Sequence, residues 1–261
     1  MTNIVVLVKQ VPDTYSERKL SDGDHTLDRE SADAVLDEIN EKAVEEALKI
    51  KEAGEGEVTV ISVGPDRATD AIRKALSMGA DKAIHVSDEA LHGSDAVATA
   101  KVLAAAVGKV EGYDLVIAGN EASDGRAGAV PAMLAELLGL PQLTQVRSLT
   151  VEGGTVKADR ETDDGLTHLE ANLPALVSVT EKINEPRYPS FKGIMAAKKK
   201  PVETLTIADL GVDAGAVGLG SALSTVVEAA PKPPRTAGER VEDEGDGGSK
   251  IAEYLVGQKI I

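Results

Sequence analysis

The sequence has no cysteine and no tryptophan, and its aromatic residues are limited to one Phe and four Tyr. Without Cys, the chain cannot form disulfides, thiolate metal sites or a cysteine nucleophile. The four His residues lack the i, i+3 or i, i+4 spacing of helical metal ligands, so a His-based metal site is not expected. Because 42 % of the residues are hydrophobic but only 2 % are aromatic, we expect a core of aliphatic side chains and alanine.

Basic charge and long apolar runs are also scarce. The chain carries 28 Lys and Arg against 44 Asp and Glu, a formal net charge of −16, which argues against binding to a nucleic-acid backbone. No run approaches the ~20 apolar residues that span a membrane. Residues 4–8 are too short for a signal sequence and lack a cleavage site behind them. We therefore expect a cytoplasmic protein with no nucleic-acid partner and no membrane insertion.

Short apolar runs alternate with amphipathic patterns in the first half of the chain. The expected strands are residues 4–8, 58–63, 82–86 and 115–118. A helical stripe follows each run; Asn40 is the expected cap of the first helix. The first three helices are expected to end at Gly54, Gly79 and Gly108. This alternation predicts an α/β fold, a Rossmann-like parallel sheet with right-handed crossovers and helices on both faces.

A strand, a glycine-bearing loop and a helix start follow one another between residues 114 and 140. Free N–H groups at a helix start and the helix dipole favour an anion, and Gly125 and Gly128 let a phosphate approach the backbone. Pro131 fits the first helical turn, where its missing N–H costs nothing. An ordinary strand–loop–helix corner is the alternative explanation of this stretch.

The carboxyl ends of three strands are expected to meet at one edge of the sheet. The segments that follow these ends are residues 8–13, 63–66 and 119–130. In open parallel sheets, ligands bind beyond the strand ends where the strand order reverses. This predicts a ligand crevice, in which Asp124 either contacts the ligand or serves only as a turn or cap residue.

The helical period is lost after Pro141. Residues 150–157 predict a hairpin on a Gly-Gly turn, and residues 166–173 and 176–180 predict further strands. These strands are expected to extend or cover the sheet as antiparallel additions.

Two segments are predicted to lie outside this core. The polar residues 16–32 are expected to form a long surface excursion that is functional or bound to a partner. After a short helix expected at residues 206–211, the chain becomes rich in Gly, Ala, Pro and charge. We therefore expect an α/β domain over residues 1–213 and an extended C-terminal arm over residues 214–261. The amphipathic end of this arm, residues 251–256, is expected to dock on a partner subunit.

The run Asn-Glu-Pro-Arg-Tyr at residues 184–188, with Ile194, Met195 and residues 198–200 behind it, resembles the electron transfer flavoprotein β subunit. Similar blocks are spread over the whole chain at residues 8–13, 43–47, 78–81, 85–86, 160–161, 163, 165, 173–175, 209–212 and 235–238. Because the spacing between these blocks is also kept, the chain is identified as a member of this family.

The resemblance implies a function and a set of partners. The family pairs the β subunit with an α subunit that carries a redox-active FAD, on a sheet of the nucleotide α-hydrolase type. The heterodimer takes electrons from flavin dehydrogenases, such as the acyl-CoA dehydrogenases of fatty acid β-oxidation, and passes them to a membrane quinone oxidoreductase. The β subunit usually holds AMP as a structural ligand and has no catalytic residues of its own.

The resemblance also assigns residues to sites. Residues 184–200 would be the recognition loop that anchors dehydrogenases, and residues 13–15 with Ile39 would border the flavin of the α subunit. The docking residues in that loop would be Tyr188, Phe191, Ile194, Met195 and Lys198. The AMP contacts would be Leu7, Asp37, Glu38, Ile39, Asn40, Val63, Gly119, Asn120, Ala122, Asp124, Gly125, Arg126, Ala127, Gly128, Ala129 and Val130.

Two departures from the family pattern keep alternatives open. Thr167 stands where the family signature has an acidic or amide residue. Residues 124–130 lack the Asn and Thr side chains that many AMP-binding members carry there. Bifurcating relatives hold a second FAD at this place, so a bifurcating subunit with its own FAD is one alternative. A stand-alone ATP-binding domain is the other, although the chain has no Walker loop with a Gly-Lys-Ser/Thr ending.

The docking residues have simpler explanations as well. For Ile194 and Met195 we favour plain packing at the base of the loop, and for the three lysines at 198–200 a solvated patch is the alternative to docking. The position of the only Phe, Phe191, beside this patch favours docking.

Overall fold

A computed structural model of the chain describes residues 2–235, 238 and 240–261. The residues up to Val226 form one compact unit, and Val227–Ile261 form a second. The first unit thus reaches past residue 213, where we expected the arm to begin, and the division into domains stays a prediction. Part of the family-like motif at residues 235–238 lies outside the described residues.

Strands and helices alternate along the first unit. In chain order the strands are β1 (Ile4–Leu7), β2 (Gln10–Pro12), β3 (Ala34–Leu36), β4 (Val58–Val63), β5 (Lys82–Val86), β6 (Leu115–Gly119), β7 (Gln142–Glu152), β8 (Thr155–Thr162), β9 (Gly165–Asn172), β10 (Ala175–Val179) and β11 (Val202–Leu205). The helices are α1 (Glu38–Ala53), α2 (Thr69–Met78), α3 (Ala96–Val107), α4 (Val130–Leu138), α5 (Phe191–Ala197) and, in the second unit, α6 (Gly247–Gly257).

One large sheet organises this unit, with the strand order β11-β5-β4-β1-β6-β10-β7-β8-β9. The strands from β11 to β7 are parallel, and β8 and β9 continue the sheet as antiparallel strands. β4 pairs with one side of β1 and β6 with the other, so the strand order reverses at β1. The predicted α/β fold, with a parallel sheet and antiparallel additions, is confirmed.

The region after Pro141 differs from the prediction in one respect. The hairpin of β7 and β8 and the pairing of β9 are antiparallel as expected, but β10 runs parallel between β6 and β7. All residues of β10 are buried, and an apolar run buried on both faces is typical of a parallel strand inside a sheet. Residues 176–180 thus contribute to an interior parallel strand and not to an antiparallel addition.

The start of α1 also corrects a prediction. The Asp37 carboxylate accepts hydrogen bonds from the backbone N–H groups of Ile39 (3.0 Å) and Asn40 (3.2 Å) and caps the helix. Asn40, the expected cap, lies buried inside the first turn. Asp is as good a cap as Asn, and here it stands three residues earlier.

Residues 206–211 form a turn and not the short helix that we expected. The Asp209 carboxylate accepts a bond from the Thr206 N–H (2.8 Å), and the Asp209 N–H donates to the Thr206 hydroxyl (3.3 Å). This reciprocal pair is a helix-start signal, but Gly211 adopts φ +71°, a left-handed conformation that ends a helix.

Aliphatic side chains and alanine fill the core on both faces of the sheet. α1 and α2 cover one face, where Ala47 and Leu76 are fully buried, and α3 and α4 cover the other, where Val102 and Leu134 are fully buried. Within the described chain, no aromatic residue belongs to the buried core, in agreement with the prediction. The helices are short: over the same residues, none has both the length and the apolar composition needed to cross a membrane.

The polar residues 16–32, which we call the strap, connect β2 to β3 and run over the surface of the first unit. The antiparallel pair of β2 and β3 and a bond from the Asp13 N–H to the Asp33 carbonyl (2.7 Å) close the base of the strap. A single bridge between Leu20 and Leu27 orders its outer part. The predicted surface excursion is therefore present.

The first residues of the predicted arm pack on the first unit. The Gly218 N–H donates to the Ser94 hydroxyl (2.8 Å), and the Leu223 N–H donates to the Asp95 carboxylate (2.9 Å) at the start of α3. These bonds explain why the first compact unit ends later than the composition suggested.

Candidate functional site

The carboxyl ends of β1, β4 and β6 meet where the strand order reverses. Leu7 and Val63 stand at two of these ends and share one aliphatic cluster with Val130, the first residue of α4. Parallel sheets of this kind bind ligands at the reversal point. The structure therefore brings the apolar members of the predicted crevice to one edge of the sheet.

Asp37 links two of the elements that border this edge. One carboxylate oxygen caps α1, and the other accepts a bond from the Ser123 N–H (2.7 Å). Ser123 belongs to the β6–α4 loop (residues 120–129), which follows β6. Because the Asp37 side chain is fully buried and engaged on both sides, it holds the loop against α1, a role that the sequence did not suggest.

Asp124 is the charged centre of the β6–α4 loop. Its side chain is only 2 % exposed and accepts bonds from Lys9 Nζ (2.8 Å) and Arg29 Nη2 (3.2 Å). Burial alone would raise the pKa of this carboxyl, but the charges and hydrogen bonds of Lys9 and Arg29 lower it below its usual range. Asp124 is thus an ion-paired group, which neither predicted role had included.

Lys9 and Arg29 were missing from the predicted site. Lys9 follows the end of β1, within the family-like block at residues 8–13, and this position was a usable signal. Arg29 lies in the strap and reaches a loop that is far away in the sequence. Nothing local in the sequence indicated that contact.

Gly119 allows close approach between β6 and α1. A Cβ atom at this position would lie 2.5 Å from Asn40 Nδ2 and 3.1 Å from the Ile39 side chain. Both distances are below ordinary van der Waals contact, so a larger residue would push α1 away. Gly119, Ile39 and Asn40, all predicted members of the site, are therefore in mutual contact.

Two buried polar atoms near the loop have no hydrogen-bond partner in the described part of the chain. Asn120 donates from Nδ2 to Gln145 Oε1 (3.1 Å), but its Oδ1 is unpaired. The hydroxyl of Ser123 is unpaired too. Buried polar atoms are normally satisfied by protein, water or ligand, so these two atoms leave unused hydrogen-bonding capacity beside the loop.

The start of α4 lacks a capping side chain. Ala129 occupies the cap position without a side-chain hydrogen bond, and Pro131 follows in the first turn. The adjacent Gly128 has φ +65°, and a Cβ atom at Gly125 would meet nothing within 4 Å. Exposed backbone at an uncapped helix start favours an anion.

Some predicted site residues stand apart from this arrangement. Glu38 is exposed on the first turn of α1, and Ala127 is exposed in the loop. Arg126 adopts φ +49° and lies 3.7 Å from Glu121, while its N–H donates to the Ala122 carbonyl (2.9 Å). Over the described residues, no group of three or more His, Asp or Glu is placed to hold a metal ion.

The predicted docking residues lie on a separate surface. Tyr188 is 93 % exposed and Phe191 is 81 % exposed. We expected Phe191 in a loop, but it is the first residue of the short helix α5. The Ser190 hydroxyl caps this helix by accepting a bond from the Gly193 N–H (3.0 Å). Ile194 and Met195 are both about half exposed, so half of each side chain packs on the protein and the other half is open to solvent.

Lys200 differs from the two lysines before it. Lys198 and Lys199 are exposed, but Lys200 Nζ donates to the carbonyls of Leu76 (3.0 Å) and Ala80 (2.5 Å) at the end of α2. Burial lowers the pKa of Lys200. The solvated patch is therefore limited to Lys198 and Lys199, since Lys200 caps a helix.

Residues 184–187 attach the docking surface to α1. Arg187 forms ion pairs with Glu45, whose side chain is only 6 % exposed, and with Glu52. These bonds raise the pKa of Arg187 above its usual value. Asn184 donates to the Lys42 carbonyl (3.0 Å) and to Glu46 (2.9 Å). Two family-like blocks that are distant in the sequence thus bind each other.

An open parallel sheet with this reversal point has the architecture of the doubly wound α/β domains. Residues 24–210 match the family model of the electron transfer flavoprotein domain. The chain is 65 % identical to the protein named electron transfer flavoprotein subunit beta of Mycobacterium tuberculosis, over 100 % of both chains. It is 43 % identical to the protein of that name from Thermoanaerobacterium thermosaccharolyticum, over 91 % of both, and 36 % identical to that of Megasphaera elsdenii, over 99 % of both. The chain belongs to the electron transfer flavoprotein β-subunit family.

Proposed function

We propose that this chain is the β subunit of a heterodimeric electron transfer flavoprotein, in which an α subunit holds the redox-active FAD. The observation that carries this proposal is the full-length similarity to proteins named subunit beta. The second compact unit supports it, because Ile251 and Tyr254 on α6 leave 63 % and 58 % of their surface exposed. An apolar face of this kind suits a partner subunit.

In this role the heterodimer carries electrons on the FAD of the α subunit, and this chain catalyses no reaction itself. Flavin dehydrogenases, such as acyl-CoA dehydrogenases, are the proposed donors, and a quinone oxidoreductase is the proposed acceptor. The FAD supplies the electron chemistry when it is bound. Tyr15, which is 98 % exposed, and Ile39 would cover one edge of the flavin. The cytoplasmic location expected from the sequence stays a prediction.

AMP is the proposed ligand of the reversal point. The residues present fit a nucleotide monophosphate: the uncapped start of α4 and Gly128 suit a phosphate, and the unpaired atoms of Asn120 and Ser123 suit polar groups. Leu7 and Val63 provide apolar contacts at the strand ends. The remaining predicted contacts in the loop would act through their backbone.

The AMP would be structural and not a substrate. The two buried carboxylates at the loop are already engaged, Asp37 as a helix cap and Asp124 in ion pairs, and the half-buried Glu121 lies 3.7 Å from Arg126. Neither of the two buried carboxylates is therefore free to activate water or to bind a metal ion. A nucleotide held there would connect α1, the β6–α4 loop and α4.

One observation favours a second candidate, a bifurcating subunit that holds its own FAD at the same place. Residues 125–128 are exposed, and a Cβ atom at Gly125 or Gly128 would meet nothing within 4 Å. That space would accept the larger dinucleotide.

Ligand release from the purified heterodimer distinguishes these functions. The chain is coexpressed with its α partner, the complex is denatured, and the released nucleotides and flavins are quantified by chromatography. One AMP and one FAD for each heterodimer would support the proposal. Two FAD would favour the bifurcating subunit, and exchangeable ATP on the isolated chain would favour a stand-alone ATP-binding domain. An intact complex whose flavin no dehydrogenase reduces would contradict the electron-transfer role.

The docking of dehydrogenases is proposed for the surface formed by Tyr188, Phe191, Ile194, Met195 and Lys198. The high exposure of the two aromatic residues supports this proposal. The bonds of residues 184–187 to α1 would keep the surface in place while a dehydrogenase binds.

A further inference from the structure

The strap is held in place by polar contacts. None of its residues is buried, and its Leu20 is 46 % exposed. Segments that bury few apolar contacts open locally at a small fraction of the global unfolding free energy. The polar contacts of the strap therefore set the free energy of its local opening.

Arg29 provides the inner contact of the strap. Its Nη2 donates to Asp124 (3.2 Å), its Nη1 donates to the Gln10 carbonyl (3.4 Å), and its own carbonyl accepts a bond from Arg67 Nη1 (2.7 Å). The guanidinium of Arg29 thus connects the strap to the start of β2 and to the β6–α4 loop.

A second contact fixes the outer part of the strap. The Asp24 carboxylate lies 2.8 Å from His92 Nε2 and accepts a bond from the Thr26 hydroxyl (2.7 Å). His92 precedes α3, and its carbonyl accepts a bond from the Leu219 N–H (2.9 Å). Side-chain contacts therefore attach both the inner and the outer part of the strap to the rest of the first unit.

The position of Asp124 couples the strap to the loop. When the strap opens, Arg29 leaves and the buried carboxylate keeps Lys9 as its only cation among the contacts described. A buried charge that loses a partner is costly, so Asp124 would move toward water and carry the loop with it. Since the loop adjoins the uncapped start of α4, this movement would loosen an anion bound there.

We propose that Arg29 is a positioning residue for the phosphate of the bound nucleotide, and that opening of the strap, which separates Arg29 from Asp124, speeds the release of this nucleotide. The proposal deepens the proposed AMP site and rests on it. In physical terms, strap closure and nucleotide binding stabilise the same arrangement of the β6–α4 loop, so each favours the other.

The test uses the complex with the α partner and the variant Arg29→Gln. Arg18→Gln is the matched control, because Arg18 is an exposed Arg in the same segment whose side chain makes no hydrogen bond or ion pair to the described residues. Labelled AMP is bound, an excess of unlabelled AMP is added, and the release rate is measured. Hydrogen exchange of residues 120–129 is followed separately in the complex without added AMP.

We expect AMP release roughly three- to tenfold faster in Arg29→Gln than in the parent, as befits the loss of a partly exposed charged contact. Exchange in residues 120–129 should rise as well, while the Arg18→Gln variant matches the parent in both measurements. Asp124→Asn should speed release, and adding Arg29→Gln to it should change little more, because both substitutions remove one contact. Arg29→Lys should fall between Arg29→Gln and the parent.

Unchanged loop exchange in Arg29→Gln would overturn the proposal, and so would unchanged AMP release from a complex that binds AMP. If the parent complex binds no AMP but Arg29→Gln still raises loop exchange, the AMP site fails while the coupling of strap and loop is retained. If Arg29→Gln does not assemble, AMP release and the exchange of residues 120–129 are compared between the parent and the variants Arg29→Lys and Asp124→Asn.

Discussion

Phe191 exposes 81 % of its surface in a chain that has only one Phe and four Tyr. Burying a Phe side chain stabilises a fold by roughly 1.5–3 kcal/mol, and the aliphatic core does not use this residue. Tyr188, which is 93 % exposed, lies three residues earlier. An exposed aromatic pair next to half-exposed Ile194 and Met195 has the composition of a binding hot spot.

Phe191→Ala should therefore weaken the docking of dehydrogenases. An aromatic anchor in a pocket contributes ~2 kcal/mol or more, so the apparent KM for the electron transfer protein in a dehydrogenase assay should rise by roughly thirtyfold. Heterodimer stability and the flavin spectrum should stay as in the parent. The control is Leu166→Ala, which removes a half-exposed side chain on β9. Unchanged dehydrogenase kinetics in Phe191→Ala would rule out this anchor.

Asp124 gives the stability of the chain a defined pH dependence. Although burial opposes it, the charges of Lys9 and Arg29 lower the pKa of Asp124 in the folded state. A carboxyl with a lowered folded-state pKa adds stability that is complete above its unfolded value of ~3.9 and is lost as the pH falls through the folded value. Because Lys9 and Arg29 are both partly exposed, the contribution near neutral pH is about 1–2 kcal/mol.

The measurement is the thermal midpoint of the parent and of Asp124→Asn as a function of pH. The gap between them should be largest near neutral pH and should shrink as the pH falls below about 4. Asp164→Asn, on the exposed turn between β8 and β9, controls for the loss of one negative charge. A gap that stays constant down to low pH would show that the ion pairs do not stabilise the fold.

At the scale of elements, local sequence patterns predicted the strands and helices of the sheet much better than they predicted the contacts of the site. The bounds of β4 and β5 agree with the apolar runs, and Gly54 and Gly79 end α1 and α2. Apolar periodicity and helix stops are local signals, so a single sequence contains them. The place of β10 between β6 and β7 depends on pairing across the chain, which periodicity does not encode.

The candidate site also depends on contacts that local sequence patterns do not encode. The glycines and the helix start after β6 indicated an anion site, but they did not show that Asp37 and Asp124 would be taken by scaffold contacts. Those contacts come from Ser123 and from Arg29. Long-range polar pairs depend on the tertiary fold, and no spacing rule in the sequence identifies them.

The attachment of residues 184–187 to α1 is another such long-range polar contact, and it makes a prediction. Arg187→Gln leaves the buried Glu45 carboxylate without its guanidinium partner. We expect a loss of roughly 1–3 kcal/mol in the free energy of unfolding, measured by denaturant titration, because buried charged groups are costly to leave unpaired. Arg187→Lys should recover part of this loss, since it keeps the charge but not the two-pronged geometry.

Lys182→Gln is the matched control for this comparison. Lys182 pairs with Glu161 at 3.0 Å, but these side chains are 55 % and 35 % exposed, and pairs open to solvent contribute little. The control should stay within about 0.5 kcal/mol of the parent. If Arg187→Gln were as stable as Lys182→Gln, the motif at residues 184–187 would not hold the docking surface on α1.

At the scale of the whole molecule, the two compact units differ in how they bury apolar groups. The first unit encloses two aliphatic clusters, one on each face of its sheet. The second unit, Val227–Ile261, buries no residue of α6. A unit without a buried core does not stabilise itself, because folding must offset the conformational entropy of each ordered residue.

The second unit should therefore become stably folded only against the α subunit. Val227 is 91 % exposed, Val256 60 % and Ile261 74 %, so apolar side chains of this unit are available to a partner. In limited proteolysis of the isolated chain, we expect early cleavage between residue 227 and the start of α6, with residues up to Val226 retained as a resistant fragment. In the heterodimer the same sites should be protected, and Tyr254→Asp should restore cleavage by placing a charge in the apolar contact. An isolated chain whose second unit resists protease would show that this unit is stable without a partner, and the heterodimer would then need another interface.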